Sequence, residues 1–254
     1  MTRRWESVFW PLFALAVFLS VWYASVVWSH SRVFPTPLDV QRGLRELLRK
    51  GLLWNYTRDS LVRVGAGYSL AVALGIPTGL VLGWYPSSAT AVNPLIQILR
   101  PISPLAWIPL SILWFGVGDE AAIFLIFLAS FFPVVVSTMN GVRNVPPMFR
   151  NAGQNFGLTP AALLRRVIFP AALPQVLVGL RIALGIAWLV VVAAEMIAID
   201  SGLGYLIIDS RNAGKRYDLV VAGMLLIGFI GLGLDVSLRR MERWKSVRWG
   251  FTND

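Results

Sequence analysis

A few charged and polar residues stand inside otherwise apolar sequence, and these are the first places where chemistry could be done. Arg100 interrupts an apolar run and is followed by Pro101-Ile102-Ser103-Pro104-Leu105-Ala106-Trp107. Arg181 and Glu195 sit near opposite ends of another run. A cation among apolar side chains attracts an anion strongly, because little solvent screens it. A passage for a small anion needs a few such charges or donors, and not so many that the anion stays bound. Arg100, Arg181 and Ser103 are the candidates for that role, with Trp107 as a gating aromatic. Arg100 lies about a third of the way along its run, so it either faces the protein interior or snorkels to the cytosolic headgroups. Glu195 would repel an anion, and an interhelical partner suits it better than a solute. That partner is not Arg181, which is ~21 Å away along a helix rising 1.5 Å per residue.

Other chemistries are poorly provided for. The chain has no cysteine and a single histidine, His30, which removes thiolate sites, disulfides and histidine clusters. Asp119-Glu120, the acidic doublet, falls in a turn with no histidine near it in sequence, so a membrane-embedded enzyme is disfavoured and no catalytic residue is assigned. Of 254 residues, 56% are hydrophobic and only 14% charged. A soluble domain carries about 25% charged residues, so the composition is that of a polytopic membrane protein. The net charge of +10 comes from arginines flanking apolar runs, a signature of membrane orientation rather than of nucleic-acid binding.

The apolar runs define the elements that must hold these residues. Residues 9–28 reach the span length of about 20 residues and exceed the apolar core of a signal peptide. A retained first helix is expected, with Arg3 and Arg4 holding its start in the cytoplasm. Residues 29–60 are expected outside. They open on Pro35-Thr36-Pro37 and continue with Leu44, Leu47, Leu48 and Leu52 among Arg42, Arg45, Arg49 and Lys50, which predicts a helix over 38–53 with a basic face. That helix either lies on lipid headgroups or docks substrate, and its charge runs against the positive-inside rule. Residues 64–85 place Gly75, Gly79 and Gly83 on one face, where another helix can approach closely. Residues 89–115 contain Pro94, Pro101, Pro104 and Pro109. Backbone broken by prolines survives in hydrocarbon only where protein or a water-filled cavity covers it. Further spans are predicted at 121–139, 176–199 and 219–234, with a polar loop at 201–218 and a basic, aromatic tail at 239–245. The reading is an all-α, six-span membrane protein, one domain over 1–254, with both termini cytoplasmic.

Between the fourth and fifth spans, residues 140–172 are polar. Asn151 is expected to cap a helix over 152–156, Gly157 to end it, and Thr159-Pro160 to start a second helix closed by Pro170 and Pro174. Two short helices meeting at a glycine fit either insertion into a partner's groove or an ordinary cytosolic loop. This stretch resembles the cytoplasmic loop motif of ABC importer permeases, Glu-Ala-Ala, three residues, Gly, nine residues, Ile-X-Leu-Pro. Here it reads Asn151-Ala152-Gly153, Gly157, Val167-Ile168-Phe169-Pro170, with asparagine in place of glutamate and Gly153 in place of alanine.

Nearly the whole chain is similar to permeases of the nitrate, sulfonate, taurine and bicarbonate importers. The resemblance is carried by Phe34-Pro35-Thr36-Pro37, Ser60-Leu61-Val62-Arg63-Val64, the run from Arg100 to Leu110, Trp114-Phe115-Gly116-Val117-Gly118, Pro170-Ala171-Ala172-Leu173-Pro174, Gly179-Leu180-Arg181, Ala194-Glu195 and Gly202-Leu203-Gly204. It implies a type I importer permease fold in the bacterial inner membrane. It also implies a homodimer (or a pair with a close paralogue), two cytosolic ATPase subunits and an extracytoplasmic substrate-binding protein. The chain has no Gly-X-X-X-X-Gly-Lys-Ser/Thr loop, so ATP and Mg belong to the ATPase and no cofactor is expected here. Asn151, Ala152, Gly153, Phe156, Gly157, Leu158, Thr159 and Pro160 would couple to the ATPase. Because Asn151 carries no charge, any salt bridge to that subunit falls to Arg150, Arg165 or Arg166. The implied solute is a small anion or, alternatively, a larger heterocyclic nutrient. An ATP-independent carrier would be expected to show matching broken helices in two halves, which are not seen.

Overall fold

Every fourth position from Gly67 through Ala71, Gly75, Gly79 and Gly83 is small and buried, and this stripe sets the core of the molecule. The computed structural model describes residues 2–29 and 33–242. His30, the tail from Arg243 onward and the side chains of Arg3 and Arg4 lie outside the described residues. All regular structure among the described residues is helical: α1 (Thr2–Ser29), α2 (Pro37–Arg49), α3 (Leu52–Trp84), α4 (Pro86–Leu99), a 3₁₀ turn (Pro104–Trp107), α5 (Ile108–Phe115), α6 (Asp119–Arg143), α7 (Pro147–Asn155), α8 (Pro160–Leu163), a π-helical turn (Leu164–Ile168), α9 (Phe169–Ala198), α10 (Leu203–Gly214) and α11 (Tyr217–Glu242). Five stretches among the described residues are long and apolar enough to cross a membrane, and α4 with α5, bent by 84° between them, brings the number to six where the pair is one span.

The stripe on α3 meets α6. A Cβ at Gly79 would lie 2.5 Å from Thr138 Cβ, one at Gly83 2.6 Å from Val142 Cβ, and one at Gly75 2.9 Å from Val134 Cγ1. In lipid the hydrophobic effect does not drive helices together, so this close contact supplies the attraction. The opposite side of α6 meets α9, where Gly179 lies against Ser137 and Gly141 against Ala172. The α3–α6–α9 slab is thus the rigid body. α1 stands apart from it: Trp10, Phe13 and Phe18 are exposed, a surface suited to lipid, and Val26 is buried.

Several elements differ from the sequence reading. α3 begins at Leu52, well before residue 64, because Leu52–Trp84 reads as one apolar helix once Arg63 is neutralised by partners. The 89–115 span is two helices, since Pro101 and Pro104 each remove a backbone donor at the bend. Residues 201–218 are not a loop. Leu203 and Leu206 are buried, and α10 folds back onto α9 and α11. Pro170 and Pro174 do not close a helix. They lie at the start of and inside α9, and the π turn opens the backbone just ahead of Pro170, where a tight turn would set the ring against a carbonyl.

Candidate functional site

The loop joining α6 to α9 is built on its own small core. Val142 and Val145 bury against Leu163, Ile168 and Ala172, with Leu80 and Trp84 of α3 packed on them. α7 starts at Pro147, the proline standing where its missing N–H costs nothing. Asn151 therefore sits in mid-helix and does not cap it, contrary to the sequence reading: Pro146-Pro147 initiates the helix one turn earlier. Gly157 ends α7 with φ of 74°, a conformation that favours glycine. Its N–H donates to the Gln154 carbonyl (2.8 Å), and the Leu158 N–H donates to the Gly153 carbonyl (3.1 Å). These two bonds form a Schellman ending. Thr159 then caps α8, accepting from the Ala162 N–H at 3.4 Å, with Pro160 at the first position.

Gly153 is the buried member of this stretch, against Leu163, and Leu158 is half-buried. Asn151, Ala152, Gly157, Thr159 and Pro160 are exposed, Met148 is 69% exposed and Phe156 86%. Arg165 and Arg166 are exposed too. Arg150 is not: it turns inward and lies over the Trp84 ring, 5.4 Å from its centroid.

Arg100 stands at the end of α4, on the bend, exposed. Two cavities meet at it. One, of about 270 Å³, is lined by Leu99, Ile102, Phe132, Ser137 and Ile182 among others. The other, of about 460 Å³, includes Asn93, Gln97 and Val136. Ser103 is exposed on the same bend, and Trp107 is half-buried against the main core. Arg181 is half-buried 4.0 Å from Asp235 of α11 and lines a separate cavity of about 360 Å³ with Trp188 and Leu189. Ile182 and Ile186 border both this cavity and the smaller one at Arg100.

Glu195 is fully buried and has its interhelical partners. Its carboxylate accepts from Arg63 Nη1 (2.8 Å), Ser60 Oγ (2.8 Å) and the Gly204 N–H (3.0 Å). Arg63 also donates to Asp119 at the start of α6 (2.7 Å) and to Ser201. This cluster ties α3, α6, α9 and the turn into α10 together, and sequence reasoning missed it. Arg63 fell one residue outside the expected span, and Asp119 read as a turn residue. A second network was also missed. Arg216 bridges Glu46 of α2 (2.6 Å) and Asp218 (2.8 Å). Hydrogen bonds from Arg216, then Lys50, lower the Glu46 pKa to about 2, and Asp218 with Glu46 raises that of Arg216. α2 itself begins with a capping box, Thr36 and Asp39 bonding reciprocally, which holds Asp39 below its usual range.

An integral membrane protein with a broken span, a rigid three-helix slab and a two-helix loop on its own core is a transport-type scaffold. Residues 72–247 match the family model described as "Binding-protein-dependent transport system inner membrane component", and the chain belongs to that family of ABC transporter permeases. A putative ABC transporter permease of Methanocaldococcus jannaschii is 44% identical over 197 residues, covering 77% of this chain and 73% of the relative. The taurine transport system permease of Escherichia coli is 37% identical over 238 residues (90% and 86%). A bicarbonate transport system permease of Synechococcus elongatus is 34% identical over 255 residues (95% and 91%). Among solved structures, an inward-facing form of the methionine ABC transporter MetNI matches with a TM-score of 0.67 at 20% identity, covering 77% of this chain and 96% of that one. A bacterial alginate ABC transporter in complex with its periplasmic protein matches with a TM-score of 0.61 at 15% identity (95% and 97%). The fold is that of type I importer permeases.

Proposed function

We propose that this chain forms the passage of an ATP-driven importer for a small oxyanion of the bicarbonate, nitrate, taurine or sulfonate class, received from an extracytoplasmic binding protein. Two copies, or this chain and a close paralogue, enclose the passage. Both termini and the α6–α9 loop face the cytoplasm, and α2 and α10 face outside. ATP and Mg act on separate ATPase subunits, into which α7, Phe156 and Gly157 dock, with Asn151, Ala152, Thr159 and Pro160 on the docking side.

The observation that carries the solute class is Arg100. It is a cation with no ion-pair partner among the described residues, exposed where two cavities meet at a broken span. Such a residue inside a bilayer is costly unless it serves a ligand or a wet passage. Relatives whose names specify taurine and bicarbonate support the same class. Ser103 and Trp107 stand beside it on the bend, and Arg181 lines the next cavity, its charge partly answered by Asp235. Glu195 serves the passage by holding α10 in place and does not meet the solute.

The test is uptake of labelled bicarbonate, nitrate, taurine and methanesulfonate into proteoliposomes carrying the permease, its ATPase and its binding protein. Arg100→Ala is expected to lower ATP-driven uptake of the imported anion by about tenfold, with the complex still assembled. Undiminished uptake removes Arg100 from the passage. Uptake without ATPase would identify an independent carrier, and uptake of none of these anions would favour a larger organic nutrient.

A further inference from the structure

We infer that Arg150 is a positioning residue for coupling: by lying on Trp84 it links the angle of α7 to the cytosolic end of the α3–α6 pair. The inference rests on the docking role of α7 proposed above.

Arg150 sits in the middle of α7, on a loop whose other arginines, Arg165 and Arg166, point to solvent. Its guanidinium instead lies 5.4 Å from the Trp84 ring centroid, and its Nε is buried with no hydrogen-bond partner. A cation turned inward without a carboxylate is held by what faces it, and here that is the ring: cation–π attraction strengthens as water is excluded. The energy therefore depends on the distance and tilt between α7 and Trp84, as a hydrogen-bonded cation on a free stem would not.

Trp84 is a fixed post. It is the last residue of α3. Its neighbour Gly83 lies so close to α6 that an added Cβ would fall 2.6 Å from Val142 Cβ and 3.0 Å from the Met139 carbonyl. Trp84 also packs on the loop core of Val142, Val145, Leu163 and Ile168. On its far side α7 ends at Gly157, around which an added Cβ would meet nothing within 4 Å. α7 therefore touches the slab through the Arg150–Trp84 contact and packs on α8 through Gly153–Leu163, while its tip is open. A force applied at Phe156 would reach α3 through the Arg150–Trp84 contact.

The test uses the whole importer in proteoliposomes, with Ile102→Cys, which lines the smaller cavity at the bend, as a reporter. The chain contains no cysteine, so the introduced thiol is unique on it. Two quantities are read: the rate of ATP hydrolysis, and the change in labelling of that thiol by a membrane-impermeant maleimide when ATP and vanadate are added. Arg150→Gln and Trp84→Leu are each expected to cut the nucleotide-driven change in labelling roughly fivefold while hydrolysis continues. Arg150→Lys, which keeps the cation, should retain most of the change. The double variant should be no worse than either single one. An undiminished labelling change in Arg150→Gln overturns the inference, as does loss of complex assembly in Arg150→Gln and Trp84→Leu alike, which would show a purely structural contact. If nucleotide leaves labelling unchanged even without substitution at Arg150, the docking reading falls and takes this inference with it.

Discussion

At the scale of single residues, Arg63 and Glu195 answer each other's charge, whereas Arg100 has no ion-pair partner among the described residues. Arg63 and Glu195 have side chains 4% and 0% exposed and share a bond of 2.8 Å. Removing one member of such a pair leaves a buried charge unanswered, which costs more than the pair contributes. Glu195→Gln is therefore expected to destabilise the protein by about 3 kcal/mol, read as a lower thermal midpoint in detergent. Arg63→Met with Glu195→Met together should cost less than the single change, and an additive double variant would refute the pairing. Glu46 behaves differently because it is reachable by solvent. Arg216 and Lys50 hold its pKa at about 2, below the ordinary 4.5. A depressed carboxylate stabilises the fold above its unfolded value and loses that contribution as pH falls through the folded one. Between pH 4.5 and about 2, α2 should loosen progressively from α11, measured as faster amide exchange in α2. Glu46→Gln should show the loosened rate already at pH 7.

At the scale of elements, the contact of α3 with α6 is the most sensitive to volume. A side chain at Gly79 would meet Thr138 and the Val135 carbonyl, both within 2.7 Å of a Cβ, and backbone cannot yield as a side-chain tip does. Gly79→Val is expected to cost about 3 kcal/mol, the upper part of the usual overpacking range, and to lower the yield of folded protein. Gly65→Ala, where an added Cβ meets nothing within 4 Å, should leave the midpoint unchanged. This close face was legible in the sequence because Gly75, Gly79 and Gly83 repeat at helical spacing. So was the broken span, since prolines state their own constraint. The ending of α7 at Gly157 and the cap at Thr159 were legible for the same reason: local backbone chemistry is written locally. Asn151 was misread as a cap because Pro146-Pro147 outranks it as a start. α10 was missed because its polar residues, Asp209, Ser210, Arg211 and Asn212, hide an apolar face of Leu203 and Leu206 that only the fold reveals. The Ser60–Arg63–Asp119–Glu195 cluster joins residues far apart in sequence, and no local pattern announces such a pairing.

At the scale of the molecule, two tied ends flank one stiff body. The ionic cluster fastens the first half of α3, the start of α6 and the end of α9 to the turn before α10. The small core of Val142, Val145, Leu163, Ile168 and Ala172 fastens the opposite ends to the loop between α6 and α9. Packed helices with glycine contacts do not bend smoothly, so a displacement at one end is passed on as a rigid shift or not at all. Gly157 sets the angle at which the chain leaves α7. Proline fixes φ near −65° and has no N–H, whereas Gly157 needs φ of 74° and donates to the Gln154 carbonyl. Gly157→Pro therefore destroys the Schellman ending without touching the slab. Because the slab is held by α3–α6–α9 contacts distant from the loop tip, the thermal midpoint should change little. In the assembled importer, ATP hydrolysis should persist while ATP-driven uptake of whichever anion the unsubstituted complex imports falls by about fivefold to thirtyfold, the size expected when a coupling of about 1–2 kcal/mol is lost. Uptake that keeps pace with hydrolysis in this variant would show that the turn at Gly157 does not carry the stroke. The adjustable joint would then have to lie deeper, at the π turn from Leu164 to Ile168 that leads into α9.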